Sequence, residues 1–217
     1  MNAVAALLYS VATSVLLALL LGFHHGSLDA RVATLSLGGG AIAAGIGWWR
    51  SRPSSLPPFP RGWAWVPIVI FTLFSLRAFL WLIFREHDEL RVLSPNNLGD
   101  MSLHLTFIQY LANGAPLWPD SPIFAAGKLS YPAGMDCFNS LLALVGVDIV
   151  RGLLWTGLLG ALATGIALLG WGGPFTMLGF LCNGGLIGFA CFVGGADEPF
   201  FQDYQAGWAW KNFPLAL

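Results

Sequence analysis

The chain has 217 residues, of which 56% are hydrophobic and only 10% charged, with a mean hydropathy of +0.70. A soluble domain carries about 25% charged residues, so a water-facing surface of this size cannot be clothed, and lipid is the expected solvent. The net charge of -1 offers no basic field for nucleic acid, and Cys137, Cys182 and Cys191 have neither metal nor redox spacing.

A spanning helix takes about 20 mostly apolar residues. Residues 3–23 meet that requirement and lack a basic leader region, so they read as a retained anchor. His24, His25 and Asp29 follow; adjacent histidines rarely face one ion, which argues against a metal site. Residues 32–49 form a second, glycine-rich span, with Gly38, Gly39, Gly40, Gly45 and Gly47 as a close-packing face. Arg50, Arg52 and Arg61, with no acid among them, place the proline-rich loop in the cytoplasm. Residues 63–84 form the third span, with Arg77 about 10 Å inside its outer end. An intramembrane arginine is a functional candidate, or it snorkels outward.

Residues 85–151 then form a large external region. Within it, residues 131–150 are apolar but interrupted by Asp136, Asn139, Ser140 and Asp148. A charge at mid-bilayer costs a few kcal/mol, so this stretch reads as a helix on or dipping into the outer interface. Were it to span, the later helices would reverse. Residues 152–170 form the fourth span and Trp171–Pro174 a tight turn. Residues 175–193, with the Gly184/Gly188 pair, form the fifth, and residues 194–212 return outside. The expected fold is an all-α polytopic bundle of about five spanning helices with interfacial helices in the first external loop. It sits in the plasma membrane with a cytoplasmic N-terminus, and every Asp and Glu falls on the outer side. The final residues, 210–217, look like the first turn of another apolar helix, so a longer protein is expected.

Three polar clusters could carry chemistry. Asn96-Asn97-Leu98-Gly99-Asp100 marks a helix start, and His104 lies four residues on, along the same face. Asp100 either caps that helix, worth about 1 kcal/mol, or serves a site. The loop 114–134 holds Trp118-Pro119-Asp120, Lys128 and Tyr131-Pro132; Lys128 is either solvated or meets a lipid phosphate. Asp197, Glu198 and Asp203 form a second acidic cluster beside an anchor of Trp208, Trp210 and Lys211.

A membrane helix followed by Gly99-Asp100-x-x-x-His104, an interfacial helix, then Trp118-Pro119-Asp120, Gly127 and Tyr131-Pro132-Ala133-Gly134 resembles the polytopic type-C glycosyltransferases. These include the protein O-mannosyltransferases and oligosaccharyltransferase catalytic subunits. The resemblance covers residues 63–217, the N-terminal part of such a core, with residues 1–62 as two additional helices and their loop. It implies Asp100 as the catalytic base, Asp197, Glu198 or Asp203 as second-loop acids, and a polyprenyl-phosphate-linked sugar as donor. A divalent cation, Mg or Mn, is a further implied partner. A leaving phosphate needs positive charge, for which Arg77, Lys128 and Lys211 are the candidates, with His104 beside the base. A transporter subunit or a non-catalytic membrane scaffold is the alternative. The first predicts polar residues repeated toward midplane, the second no clustering of acids.

Overall fold

The computed structural model describes residues 2–51, 61–87, 89–92, 98–123 and 127–182. They divide into two units, one of Met1–Ser54 with Ile83–Leu159 and the other of Ser55–Leu82 with Gly160–Leu217.

The first unit is founded on a pair of long antiparallel helices, α1 (Asn2–His25) and α2 (Ala30–Arg50). Gly26, with φ 89°, turns the chain, and the carboxylate of Asp29 accepts from the Val32 amide at 2.7 Å, capping α2. That N-cap is the work of Asp29, worth about 1 kcal/mol. The glycines of α2 then set the helix–helix distance. A Cβ on Gly40 would run into the Ser14 hydroxyl, and one on Gly47 would stand 2.7 Å from the Tyr9 ring. Gly38 and Gly45 face open space. The packing face expected from composition is thus real, but it uses Gly39, Gly40 and Gly47 only.

A hairpin of β1 (Ile83–Glu86) and β2 (Glu89–Val92) follows, pairing Ile83 with Val92 and Glu86 with Glu89. It departs from the all-α expectation. Ile83 and Phe84 belong to this hairpin and not to the third helix. Arg91 ties the hairpin by pairing with Glu86 and Glu89.

Next come α4 (Leu98–Ala112), α5 (Gly134–Leu144) and the first half of α6 (Ile149–Gly172). Leu111 of α4 and Cys137 and Leu141 of α5 share a core with Ala18, Leu28, Val32 and Ala33. Asp148 caps α6, accepting from the Arg151 amide at 3.2 Å while its other oxygen meets Arg85 at 3.0 Å. The turn between α1 and α2 is fastened to the segment after α4: the Leu117 amide donates to the Gly26 carbonyl at 2.9 Å, and Ser27 bridges Pro116.

Helix α5 has 11 residues, about 16 Å of helix, half the roughly 30 Å of a hydrocarbon core. It is too short to span. Its inward side mixes apolar Cys137 and Leu141 with polar side chains. Asp136, Asn139 and Ser140 are buried, whereas Met135 is 48% exposed. Each of these buried polar groups of α5 has a partner. Asn139 donates to the Met135 carbonyl and accepts from Thr156, and Ser140 donates to the carbonyls of Ile108 and Asp136.

In the second unit, a short 3-10 turn (Gly62–Trp65) leads into α3 (Val66–Leu80). Phe71 packs with Met177 and Leu181 of α7 (Phe175–Leu181) and with Leu168 and Leu169 of α6. Gly173, with φ 78°, makes the tight turn between α6 and α7, and the Thr176 hydroxyl donates to the Leu168 carbonyl at 2.8 Å. The rest of the fifth expected span, including Gly184 and Gly188, lies outside the described residues. Because α3 ends at Leu80, Arg77 sits in its last turn, about 5 Å from the helix end, and its side chain is exposed. It still lies within a segment long and apolar enough to span, nearer the helix end than the sequence implied, and its charge there favours the negative end of the helix dipole.

Among the described residues, four segments are long and apolar enough to cross a membrane: Asn2–His25, Ala30–Arg50, Gly62–Leu80 and Ile149–Gly172. Their outward faces carry large apolar side chains such as Leu16, Leu20, Ile42 and Leu73. The protein is built as a multi-pass membrane protein.

Candidate functional site

The polar clusters that the sequence singled out are sorted by α4 and the loop beyond it. Asp100 lies in the first turn of α4 with an exposed side chain. A carboxylate there also favours the positive end of the helix dipole. His104 is one turn further along the same face, where side chains four apart are neighbours. Below it, Leu103 and Phe107 pack on Leu129, Ala133 and Trp118.

The loop after α4 folds back to deliver two further groups. The Trp118 indole donates to the Leu129 carbonyl at 2.5 Å, and the Leu129 amide donates to the Pro119 carbonyl at 3.0 Å. This crossing brings Tyr131 against both His104 and Phe107, with ring centroids 5.8 and 5.4 Å apart. Two residues after Ala133, α5 is under way, and Asp136 in its first turn points at His104. The Nδ1 atom of His104 lies 2.9 and 3.1 Å from the two carboxylate oxygens. Asp136 is 3% exposed, whereas a third of the His104 side chain remains open, 33%.

A carboxyl with so little water around it disfavours its charged form. Burial pushes the Asp136 carboxyl above its ordinary range, and the charge and hydrogen bond of His104 pull it back down. The neighbouring Cys137 thiol is pushed up to about 11, first by burial and then by the charge of Asp136. Cys137 is therefore an inert packing group, as free buried cysteines are.

The sequence treated Asp136 only as an interruption in an apolar run. The signal that marks it is local: a carboxylate in the first turn of a helix whose other polar residues, Asn139 and Ser140, fall on the same inward side.

The remaining candidates are placed differently. Lys128 pairs with Asp120 at 2.7 Å on an exposed surface, a contact worth about 0–1 kcal/mol. Its charge is thus already partly offset. Asp29, once grouped with His24 and His25, caps α2, and the two histidine rings meet edge to face. Among the described residues no three His, Cys, Asp or Glu side chains gather as a cation would require. Asp197, Glu198, Asp203 and Lys211 lie outside the described residues.

A groove of about 670 Å³ opens on another part of α4, lined by Leu105, Gln109, Asn113, Leu144 and the Arg85–Asp148 pair. Asp100 and His104 do not line it.

Comparison with known protein families, with curated proteins and with solved structures gives no match.

Proposed function

We propose that this protein takes part in membrane glycosyl transfer of the type-C kind, moving a sugar from a polyprenyl phosphate to an acceptor hydroxyl at the outer face. One observation carries the reading. An exposed carboxylate, Asp100, stands one helical turn from a histidine that a buried carboxylate, Asp136, holds by its ring nitrogen.

In the proposed step the acceptor oxygen attacks the anomeric carbon of the donor. The bond from that carbon to the phosphate oxygen breaks, and the lipid phosphate leaves with the electron pair. Asp100 takes the hydroxyl proton. Attack from the side opposite the phosphate inverts the anomeric centre. The lipid-linked donor would lie along the apolar outer surface of the first unit's helices, where Leu16 and Leu20 are among the exposed side chains. Lys128 is a weak counter-charge for the departing phosphate because Asp120 already holds it. In the same reading α5 rests in the outer interface, the α1–α2 turn and the segment after α4 lie outside, and residues 50–62 are cytoplasmic.

The test is sugar transfer from a polyprenyl-phosphate donor in membranes carrying the wild-type protein or Asp100→Asn. A general base is worth about 10²–10⁴-fold, and a loss of that size is expected in the variant with unchanged membrane insertion. Wild-type transfer by a well-folded Asp100→Asn protein removes Asp100 from the mechanism.

A further inference from the structure

We propose that His104 and Asp136 form a proton-handling pair in which Asp136 positions the ring and His104 Nε2 takes over the proton that Asp100 removes. This rests on the glycosyl-transfer reading and names two roles within it. His104 is the residue that accepts the proton, and Asp136 is a positioning residue that acts through it.

The argument starts from burial. Asp136 is 3% exposed, and both its carboxylate oxygens lie within 3.1 Å of Nδ1. A buried carboxylate is tolerated when a donor meets it. Nδ1 therefore carries the hydrogen and donates, which leaves the lone pair on Nε2. The ring cannot swing freely, because the Tyr131 ring lies edge-on to it at 5.8 Å between centroids. One side of the imidazole is thus fixed by a buried acid and an aromatic wall, and with Nδ1 engaged, Nε2 is the nitrogen left for chemistry.

The second half of the argument is placement. Asp100 precedes His104 by one turn on the same face of α4, where Cβ atoms stand about 5–6 Å apart. Side chains at that spacing reach each other directly or through one water. A proton taken from the acceptor hydroxyl makes Asp100 a neutral acid. Its transfer to Nε2 restores the Asp100 carboxylate and makes His104 an imidazolium, with Asp136 as counter-charge. The proton then leaves to water, so charge and atoms balance without a further reactant. Among the described residues, the other titratable groups at the pair are Tyr131, against the ring, and Cys137, which feels the charge of Asp136.

The experiment has two arms. In the first, ¹⁵N NMR of histidine-labelled protein in detergent reads the tautomer of His104, assigned by its loss in His104→Gln. The Nδ1–H form is expected in the wild type. In Asp136→Asn an amide N–H faces Nδ1 and shifts the proton to Nε2, the change known from the serine protease triad. In the second arm, transfer is measured across pH for Asp136→Asn, Asp136→Glu and His104→Gln. Asp136→Asn and His104→Gln should slow transfer about 10²-fold or more, with a changed pH profile, and Asp136→Glu should recover part of the loss. A wild-type ring in the Nε2–H form overturns the pair whatever the activity. Loss of transfer in Asp100→Asn alongside full transfer and an unchanged pH profile in Asp136→Asn also overturns it, while leaving Asp100 as the base.

Discussion

Replacing Gly40 by alanine should loosen α1 from α2, and replacing Gly38 should not. At Gly40 the new methyl would stand 2.7 Å from the Ser10 carbonyl oxygen and collide with the Ser14 hydroxyl. Ordinary van der Waals contact begins near 3.4 Å, so the helices must part by about 0.7 Å or the serine must turn away. The carbonyl belongs to the α1 backbone and cannot rotate clear. Overpacking of this kind costs about 1–3 kcal/mol. Alanine is also the better helix former, by about 1 kcal/mol in an exposed aqueous helix, and that gain offsets part of the loss. Gly38, two residues away on the same helix, meets nothing within 4 Å. Its alanine variant gains the propensity term without the clash. The difference between the two variants therefore isolates packing, with Gly40→Ala the less stable by about 1–3 kcal/mol. Reversible unfolding in mixed micelles, followed by tryptophan fluorescence, gives both numbers. Equal stability of the two variants would refute the close approach of α1 and α2 at this point.

Two further outcomes follow from the fold. Single cysteines at His25 and Ser130, in a background without Cys137, Cys182 and Cys191, should react with a membrane-impermeant reagent from the same side. One at Arg50 should react from the other; labelling of all three from one side would rule out the crossing of α1 and α2. The Asp136 carboxyl binds its proton more tightly in the folded protein, since burial raises it above its ordinary value of 3.8. Its stabilising contribution is complete below that value and is lost as pH rises through the elevated folded one. The stability of the wild type relative to Asp136→Asn should therefore fall with rising pH across that window, and a gap that widens instead would contradict the assignment.

The long helices were legible because their signal is composition over some 20 residues: the spans read at 3–23, 32–49 and 152–170 each grew by a turn or less at their ends. The third was read too long. Apolar residues continue through Trp81, Leu82, Ile83 and Phe84, and hydropathy cannot tell a helix from a strand there. The charged run that begins at Arg85 and Glu86 marks the end of the apolar stretch but carries no period that distinguishes the two. Shortening α3 also brought Arg77 closer to a helix end. The stretch 131–150 was read as one interfacial helix, but the helix within it is only Gly134–Leu144, and Ile149 and Val150 already belong to α6. The polar residues of α5 turn inward and find Thr156, Ile108 and His104. The pairing of His104 with Asp136 was not legible. It depends on the path of the loop between α4 and α5, which is set by the Trp118–Leu129 crossing, and no periodicity encodes such a path.

The fastening of Leu117 to Gly26 has a consequence for biogenesis. A ribosome delivers α1 and α2 first, and two adjacent apolar helices with a tight turn can settle in the bilayer as a unit. Their turn then waits, with the Gly26 carbonyl unclaimed, until α4 and the segment after it have been synthesised. When that late segment docks, the loop sets Tyr131 beside His104 and leads into the helix that carries Asp136. The earliest part of the chain thus serves as the template on which a much later part is finished, and damage at the α1–α2 turn would surface as a misassembled histidine pair far along the sequence.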